Sequence, residues 1–352
     1  MRPLRVPPPV AGSAASGPRP SFSVVIAAYD AAATIAEAVE SVLSQTLTAG
    51  EIVVCDDGSH DELAAAIAPF GARVTLVHQQ HAGEGAAKNT GALHVSSGDF
   101  IVFLDADDVF LPDRLEALGE LAAARPDLDI LTTDAFLEVE GVVIRRCYEP
   151  SWPFEVEDQR GAILERNFIF GHAAVRRTRF LESGGFDPSI RYCTDWDLWC
   201  RMLLEGSRVG LVDEPLARYR LHPGSLSADR PALLEGRCRV LERAASRDGL
   251  TPAERRRVEA ALAAERRNVL LTRAATALRE RSPEARRLAM RVARTGSLPA
   301  GTRARAALAA LVPRLASRRL AEAAEHTGRA GPAGVRFPPA RNEVPGTSAD
   351  QP

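Results

Sequence analysis

The chain has one lysine, Lys88, among its 44 basic residues, so its positive charge is carried almost wholly by arginine. It also lacks any run of about 18 uncharged apolar residues, so no spanning helix is expected. The start, residues 1–20, is rich in Pro, Ala, Gly and Ser, with no continuous apolar core of the kind a secretory signal needs. It reads as a disordered leader. Only five cysteines occur (Cys55, Cys147, Cys193, Cys200, Cys238), an odd number with no CxxC spacing. That pattern excludes a disulfide framework and a zinc ribbon, and points to reduced thiols in the cytoplasm.

What is present is an ordinary globular composition, 45% hydrophobic and 26% charged over 352 residues, long enough for two domains. The net charge of -2 hides an asymmetry: Glu235 to Glu325 holds 21 Arg against 10 Asp and Glu. The remainder is therefore acidic. A basic segment behind an acidic half fits either a solvated helical face or peripheral contact with an anionic membrane leaflet. Nothing in this balance suggests a nucleic-acid partner.

Residues 21–228 alternate short apolar runs with helical patterns. Ser23–Ala28, Glu51–Cys55, Val74–His78 and Phe100–Leu104 read as strands. Between and after them, Thr34–Leu43, a segment with Leu63, Ala66, Ile67 and Phe70, Gly85–Val95, and a segment with Leu115, Leu118 and Leu121 read as helices. This alternation predicts an α/β fold with a mostly parallel central sheet and helices on both faces. Residues 229–326 predict a helical extension, and 327–352 a disordered tail. Within the extension Leu270, Leu271, Ala274, Ala275 and Leu278 form a stripe suited to docking. Arg286, Arg287, Arg291 and Arg294 form a basic face.

Ligands of such sheets bind beyond the carboxyl ends of the strands. Three of these ends carry acids: Ala28-Tyr29-Asp30, Asp56-Asp57-Gly58-Ser59 and Asp105-Ala106-Asp107-Asp108. If the last strand stays extended, Asp105 and Asp107 point to one side and can approach one Mg²⁺ or Mn²⁺ with substrate phosphates. The alternative is a solvated acidic turn with Asp108 capping a helix. Asp57 can accept from a base N–H or ribose hydroxyl, or serve an ordinary strand-to-helix loop. In Gly83–Gly91 the small residues permit close approach to a ligand. Lys88 there can meet a phosphate or a base carbonyl, or lie on a solvated helix face.

Taken in order, these segments resemble the inverting family 2 glycosyltransferases with the GT-A fold. The resemblance runs through Ser23–Tyr29, Val42–Thr46, Asp56–Ser59, Lys88–Gly91, Phe103–Asp108, Pro112, Arg114 and Leu115. It continues through Gly184–Asp187 and Thr194–Trp199, and closes at Tyr219–Ser225. It implies a nucleotide-sugar donor, a glycan or lipid-linked acceptor and a divalent metal. By it, Ala28, Tyr29 and Asp57 line the base pocket, and Lys88 is a further nucleotide contact. Asp105 and Asp107 are the DxD pair, with Asp107 the direct metal ligand and Asp105 a ribose or metal-linked contact. Asp195 is the catalytic base. Thr194, Trp196, Arg220 and His222 are candidates for acceptor contact or a closing loop, with a purely structural His222 as the alternative.

Two positions depart from the family pattern. Asp30 stands where Asn is usual, and Thr194 where Glu is usual, so acceptor placement or the electrostatics around the base are expected to differ. Asp195 opens a helix marked by Leu198, Trp199, Met202 and Leu203, whose N-terminus is expected to keep the carboxylate ionised. A plain helix cap is the alternative for Asp195. Two other functions compete. A sugar nucleotidyltransferase would carry a Gly-rich basic loop where Ala27–Ala32 stands. A non-catalytic binding module would lack Asp107 or Asp195.

Overall fold

The computed structural model describes residues 2–9, 18–95, 97–150, 152–222, 225 and 229–312. The strands are β1 (Leu4–Arg5), β2 (Phe22–Ala28), β3 (Glu51–Asp56), β4 (Thr75–His78), β5 (Phe100–Asp105), β6 (Val109–Phe110), β7 (Ile130–Val139), β8 (Val142–Arg146), β9 (Ala174–Arg176) and β10 (Val209–Leu221). The helices are α1 (Ile35–Leu43), α2 (Leu63–Ile67), α3 (Glu84–Leu93), α4 (Arg114–Ala124), α5 (Gln159–Ile163), α6 (Arg177–Glu182), α7 (Thr194–Leu204), α8 (Arg230–Ala245), α9 (Pro252–Arg279), α10 (Ala285–Arg294) and α11 (Ala300–Leu311).

Among the described residues one sheet of ten strands runs in the order β1-β10-β7-β9-β5-β2-β3-β4, with β6 beside β10 and β8 beside β7. The segment β5-β2-β3-β4 is wholly parallel, as the sequence pattern predicts. β9 runs antiparallel to both β5 and β7, so β7 and its parallel neighbour β10 point the same way as β5. Val24, Val25, Ile26, Ile101, Val102, Phe103 and Leu104 are buried, which is why these strands are apolar without alternation. Gly91 lets α3 lie against β2: a Cβ there would stand 2.5 Å from Val25 Cγ1. In β10, Pro215 falls where the register with β7 shifts, a position that tolerates its missing N–H.

The leader departs from expectation. Leu4 and Arg5 pair antiparallel with Val212 and Leu211 on the outer side of β10, and Asp213 N donates to Pro3 O at 2.8 Å. Arg5 meets Asp213 at 2.6 Å and Arg2 meets Glu214 at 2.7 Å. An edge strand with open backbone groups and flanking acids captures this short basic segment, a contact that composition does not show. Residues 10–17 of the leader, and the whole of the tail at 327–352, lie outside the described residues.

The chain divides into two compact units, Met1–His222 with Ala232–Arg266, and Pro223–Pro231 with Arg267–Pro352. The start of the helical segment therefore belongs to the sheet-bearing unit. Arg160 pairs with Glu254 and Arg257 with Asp158, each at 2.5 Å. In the second unit the end of α9 packs with α10 and α11 around Ala274, Leu278, Leu288, Ala289, Val292 and Ala310, with Leu270 and Leu271 beside them. No helix among the described residues is long and apolar enough to cross a membrane. All five cysteines are free, and burial pushes the Cys55 thiol up to about 11 and Cys147 and Cys193 up to about 12.

Candidate active site

The parallel strands end in register. Ala28 pairs with Asp56, and Ala27 pairs with Cys55 on one side and Asp105 on the other. Strand spacing of about 4.8 Å then sets the acids after β3 and β5 about 10 Å apart on one edge, with Ala28 and Tyr29 between them. Asp57 is buried. Its Oδ1 accepts from Gln79 Nε2 at 2.6 Å and Ala82 N at 2.8 Å, and its Oδ2 accepts from Gly83 N at 2.8 Å. His81 Nδ1 stands 3.0 Å from the same Oδ2. Tyr29 is exposed, and its ring centre lies 4.3 Å from that of His81. The result is an aromatic platform beside a rigidly held carboxylate. Sequence reasoning missed Gln79 and His81, which hold Asp57.

At the end of β5 the chain does not stay extended. Asp108 N donates to Asp105 O at 3.1 Å, closing a turn, so Asp105 and Asp107 are not two places along one extended strand. Asp105 Oδ1 accepts from Lys88 Nζ at 2.8 Å, and its Oδ2 lies 3.3 Å from His172 Nε2. Lys88 is buried and also donates to Glu84 Oε1 at 2.5 Å. Burial would lower the lysine, but Asp105 and Glu84 outweigh it and raise it. Burial would likewise raise Asp105, but Lys88 and His172 hold it well below the usual carboxylate range. Lys88 is thus inward-facing and paired, which rules out the solvated-face reading.

Asp107 Oδ2 meets His222 Nε2 at 2.7 Å, with the two side chains 34% and 47% exposed. Asp108 is fully buried: its Oδ1 accepts from Arg220 N at 2.7 Å and its Oδ2 lies 2.9 Å from His172 Nε2. It caps no helix. Burial would lower His172, yet Asp108 and Asp105 raise it to about 9, while burial pushes Asp108 up to about 7 against the pull of His172. Asp105, Asp108 and His172 bring three ligand atoms within 4.8 Å of one another. A charged imidazole already fills that set, and Asp108 is closed to solvent. The Asp107–His222 pair, one carboxylate oxygen and one imidazole nitrogen open to solvent, fits a Mn²⁺ or Mg²⁺ ion better.

Asp195 lies in the first turn of α7. The chain enters through Cys193 in a left-handed conformation, with φ of 62°. Asp195 Oδ1 accepts from Trp196 N at 2.8 Å and its Oδ2 from Asn167 Nδ2 at 2.9 Å. Burial raises its pKa, and the Trp196 amide, Lys88 and Asn167 only partly oppose that. The helix N-terminus therefore does not dominate, contrary to expectation, because desolvation and the nearby Asp105 act the other way. Thr194 is buried, and its Cγ2 stands 3.5 Å from where a Cβ on Gly85 would lie. That contact docks the start of α7 on the start of α3.

The remaining candidates are placed as follows. Trp196 is buried with its ring N–H donating to Ile163 O at 2.8 Å, so it packs the interior and is not presented to an acceptor. Arg220 makes two hydrogen bonds of 2.7 Å to Glu37 at the start of α1, and its Nε lies 3.4 Å from Glu138. Arg114, fully buried, donates to Thr133 Oγ1 and, at 2.5 Å, to His172 O. Beside Gln79 and His81, the sequence also did not point to Glu84, Asn167 and His172. Only Glu84 left a signal, its spacing of four from Lys88.

Residues 23–184 match the family model described as Glycosyl transferase family 2. The matched segment, a little under half of the chain, is similar to this family. The succinoglycan biosynthesis protein ExoO of Rhizobium meliloti is 34% identical over 225 residues, which cover 59% of this chain and 63% of ExoO. Among solved structures, S. aureus TarS 1-349 in complex with UDP has a TM-score of 0.56 at 14% identity, covering 87% of this chain and 91% of that one. The mannosyltransferase PcManGT of Pyrobaculum calidifontis, in complex with GDP-Man and Mn²⁺, has a TM-score of 0.56 at 20% identity, covering 91% and 88%. These structural likenesses show the fold. With the match over residues 23–184, they make the sheet-bearing part of the chain similar to the GT-A glycosyltransferases.

Proposed function

We propose that this glycosyltransferase moves a sugar from a nucleoside-diphosphate donor to an acceptor hydroxyl, with inversion at the sugar carbon and assistance from Mn²⁺ or Mg²⁺. Its product belongs to a cell-surface polysaccharide or glycolipid. The observation that carries the reading is geometric: Thr194, next to Asp195, packs against Gly85 of α3, and Asp195 Oδ2 lies 3.8 Å from where a Cβ on Gly171 would stand, beside His172, which reaches Asp105 at 3.3 Å. The succinoglycan role of ExoO supports the polysaccharide assignment, and the ligands of PcManGT support the donor and the metal.

In this account Tyr29 and His81 stack on the nucleotide base, and Asp57 fixes the loop that frames it. Asp107 and His222 hold the cation, which supplies positive charge to the departing diphosphate. Lys88 neutralises the acids at the rim and reaches the donor from the β5 side. Asp195, hydrogen-bonded by Asn167, takes the proton of the acceptor hydroxyl as it attacks the face opposite the leaving group. Burial raises its pKa, which makes its carboxylate a better proton acceptor than an ordinary one. The protein acts at the cytoplasmic face of a membrane, where Arg286, Arg287, Arg291 and Arg294 of α10 contact anionic headgroups and the acceptor is lipid-linked or a growing glycan.

The test is a panel of UDP-, GDP- and dTDP-sugars incubated with the purified protein, with Mn²⁺ or with EDTA, reading nucleotide release. Release with one donor class that EDTA suppresses is expected. No release from any donor with either metal would overturn the reading.

A further inference from the structure

One lysine ties two carboxylates together at this rim. The Lys88 ammonium, on a side chain 5% exposed, is held at 2.5 Å by Glu84 Oε1 and at 2.8 Å by Asp105 Oδ1. Glu84 opens α3 and Lys88 follows one turn later, so both side chains leave the same helix face. The third carboxylate, Asp195, forms no ion pair among the described residues. It accepts from the Trp196 amide and the Asn167 side chain, both neutral. Thr194, just before Asp195, lies 3.5 Å from where a Cβ on Gly85 would stand, beside Glu84, so α7 holds Asp195 next to this cluster and within reach of its charges.

An ammonium has three donors and turns toward whichever acceptors surround it. With Glu84 and Asp105 both in place, two of those donors are committed away from Asp195. We propose that Glu84 is a positioning residue for the transfer step, clamping the Lys88 ammonium on Asp105 and so leaving the Asp195 carboxylate without an ion pair. The inference rests on the reading of Asp195 as the base and adds to it. A carboxylate tied to an ammonium is a poor proton acceptor, because the cation stabilises its charge. Glu84 acts through Lys88 and has no need to touch the substrate.

The groups facing Asp195 are few. From α3 come Lys88 and Glu84, and from β5 comes Asp105. The Cys193 thiol precedes Asp195 and the Cys200 thiol lies on α7, and burial keeps both protonated. Asn167 contributes an amide only. Replacing Glu84 by glutamine removes one negative charge and releases a donor of Lys88. Both changes stabilise ionised Asp195, so its proton is lost at lower pH.

The experiment follows aspartate and glutamate side-chain carboxyl signals of the full-length protein by carbon NMR as pH is varied, with Asp195→Asn used to assign Asp195. In Glu84→Gln the Asp195 midpoint is expected about one pH unit lower, and in Glu84→Asp, which keeps the charge, close to wild type. On whichever donor of the panel is turned over, at saturating Mn²⁺, the acid limb of kcat/KM moves down with it and the donor KM stays within about twofold. If Glu84→Gln does not fold, wild type suffices: its Asp195 signal carries a second inflection at the pH where the Glu84 signal titrates. An unmoved midpoint in folded Glu84→Gln, or a wild-type Asp195 curve blind to Glu84, overturns the proposal. A moved midpoint alongside turnover that survives Asp195→Asn would instead sink the base reading and leave the clamp standing.

Discussion

Asp107 and His222, 115 positions apart in the chain, stand 2.7 Å apart at the solvent-facing end of the sheet. β5 and its turn deliver the first. β10, parallel to β7, delivers the second one residue past its end. A carboxylate and an imidazole so placed offer an oxygen and a nitrogen ligand to one cation.

Loss of either side chain is therefore expected to weaken Mn²⁺-dependent donor binding. Asp107→Ala and His222→Ala should each reduce donor affinity at least tenfold with Mn²⁺ and leave the weak binding in EDTA unchanged. Isothermal calorimetry reads this directly. Unchanged Mn²⁺-dependent affinity in both variants would remove these residues from the metal site.

The buried His172 makes stability depend on pH. The folded imidazole holds its proton up to about 9 because Asp108 and Asp105 face it. Unfolded, it loses the proton near 6.5. The folded state therefore binds more protons between those values, and stability falls as pH rises through that window. Urea titrations at pH 6.5 and 9 should show the fall, and His172→Gln should flatten it while lowering stability at both. A wild-type slope that persists in His172→Gln would assign it to other groups.

Gly91→Ala tests the packing that brings α3 to the site. The added Cβ would meet Val25 Cγ1 at 2.5 Å in the middle of a buried strand. Better helix propensity offers about 1 kcal/mol, and overpacking costs about 1–3 kcal/mol, so a net loss of up to about 2 kcal/mol is expected. Urea unfolding checks it. A stabilised variant would mean that α3 does not press on β2 as described.

Much of this arrangement was legible in the sequence. Unbroken apolar strands ending in acids announce a parallel sheet with its chemistry on one edge, and a lone lysine after a small-residue loop marks itself. Geometry that depends on turns was not legible. The Asp105–Asp107 pair reads as part of an extended strand end, where the chain in fact turns at Asp108. Glu84 stands four residues before Lys88, a spacing common on solvated faces, and only the fold shows both turned inward. His172 precedes a three-residue strand and carries no local signature. It reaches Asp105 and Asp108 because β9 is wedged between β5 and β7. The Leu4–Arg5 strand was hidden because a Pro-rich, low-complexity start says nothing of the edge that captures it.

The central claim is that Asp195 takes the acceptor proton and does not bind the donor. The most direct test is Asp195→Asn, isosteric and unable to accept that proton, measured for both turnover and donor affinity in Mn²⁺. The account predicts that turnover falls by at least about a thousandfold while the donor Kd stays within about twofold. Turnover within tenfold of wild type, or loss of donor affinity in step with activity, would contradict it.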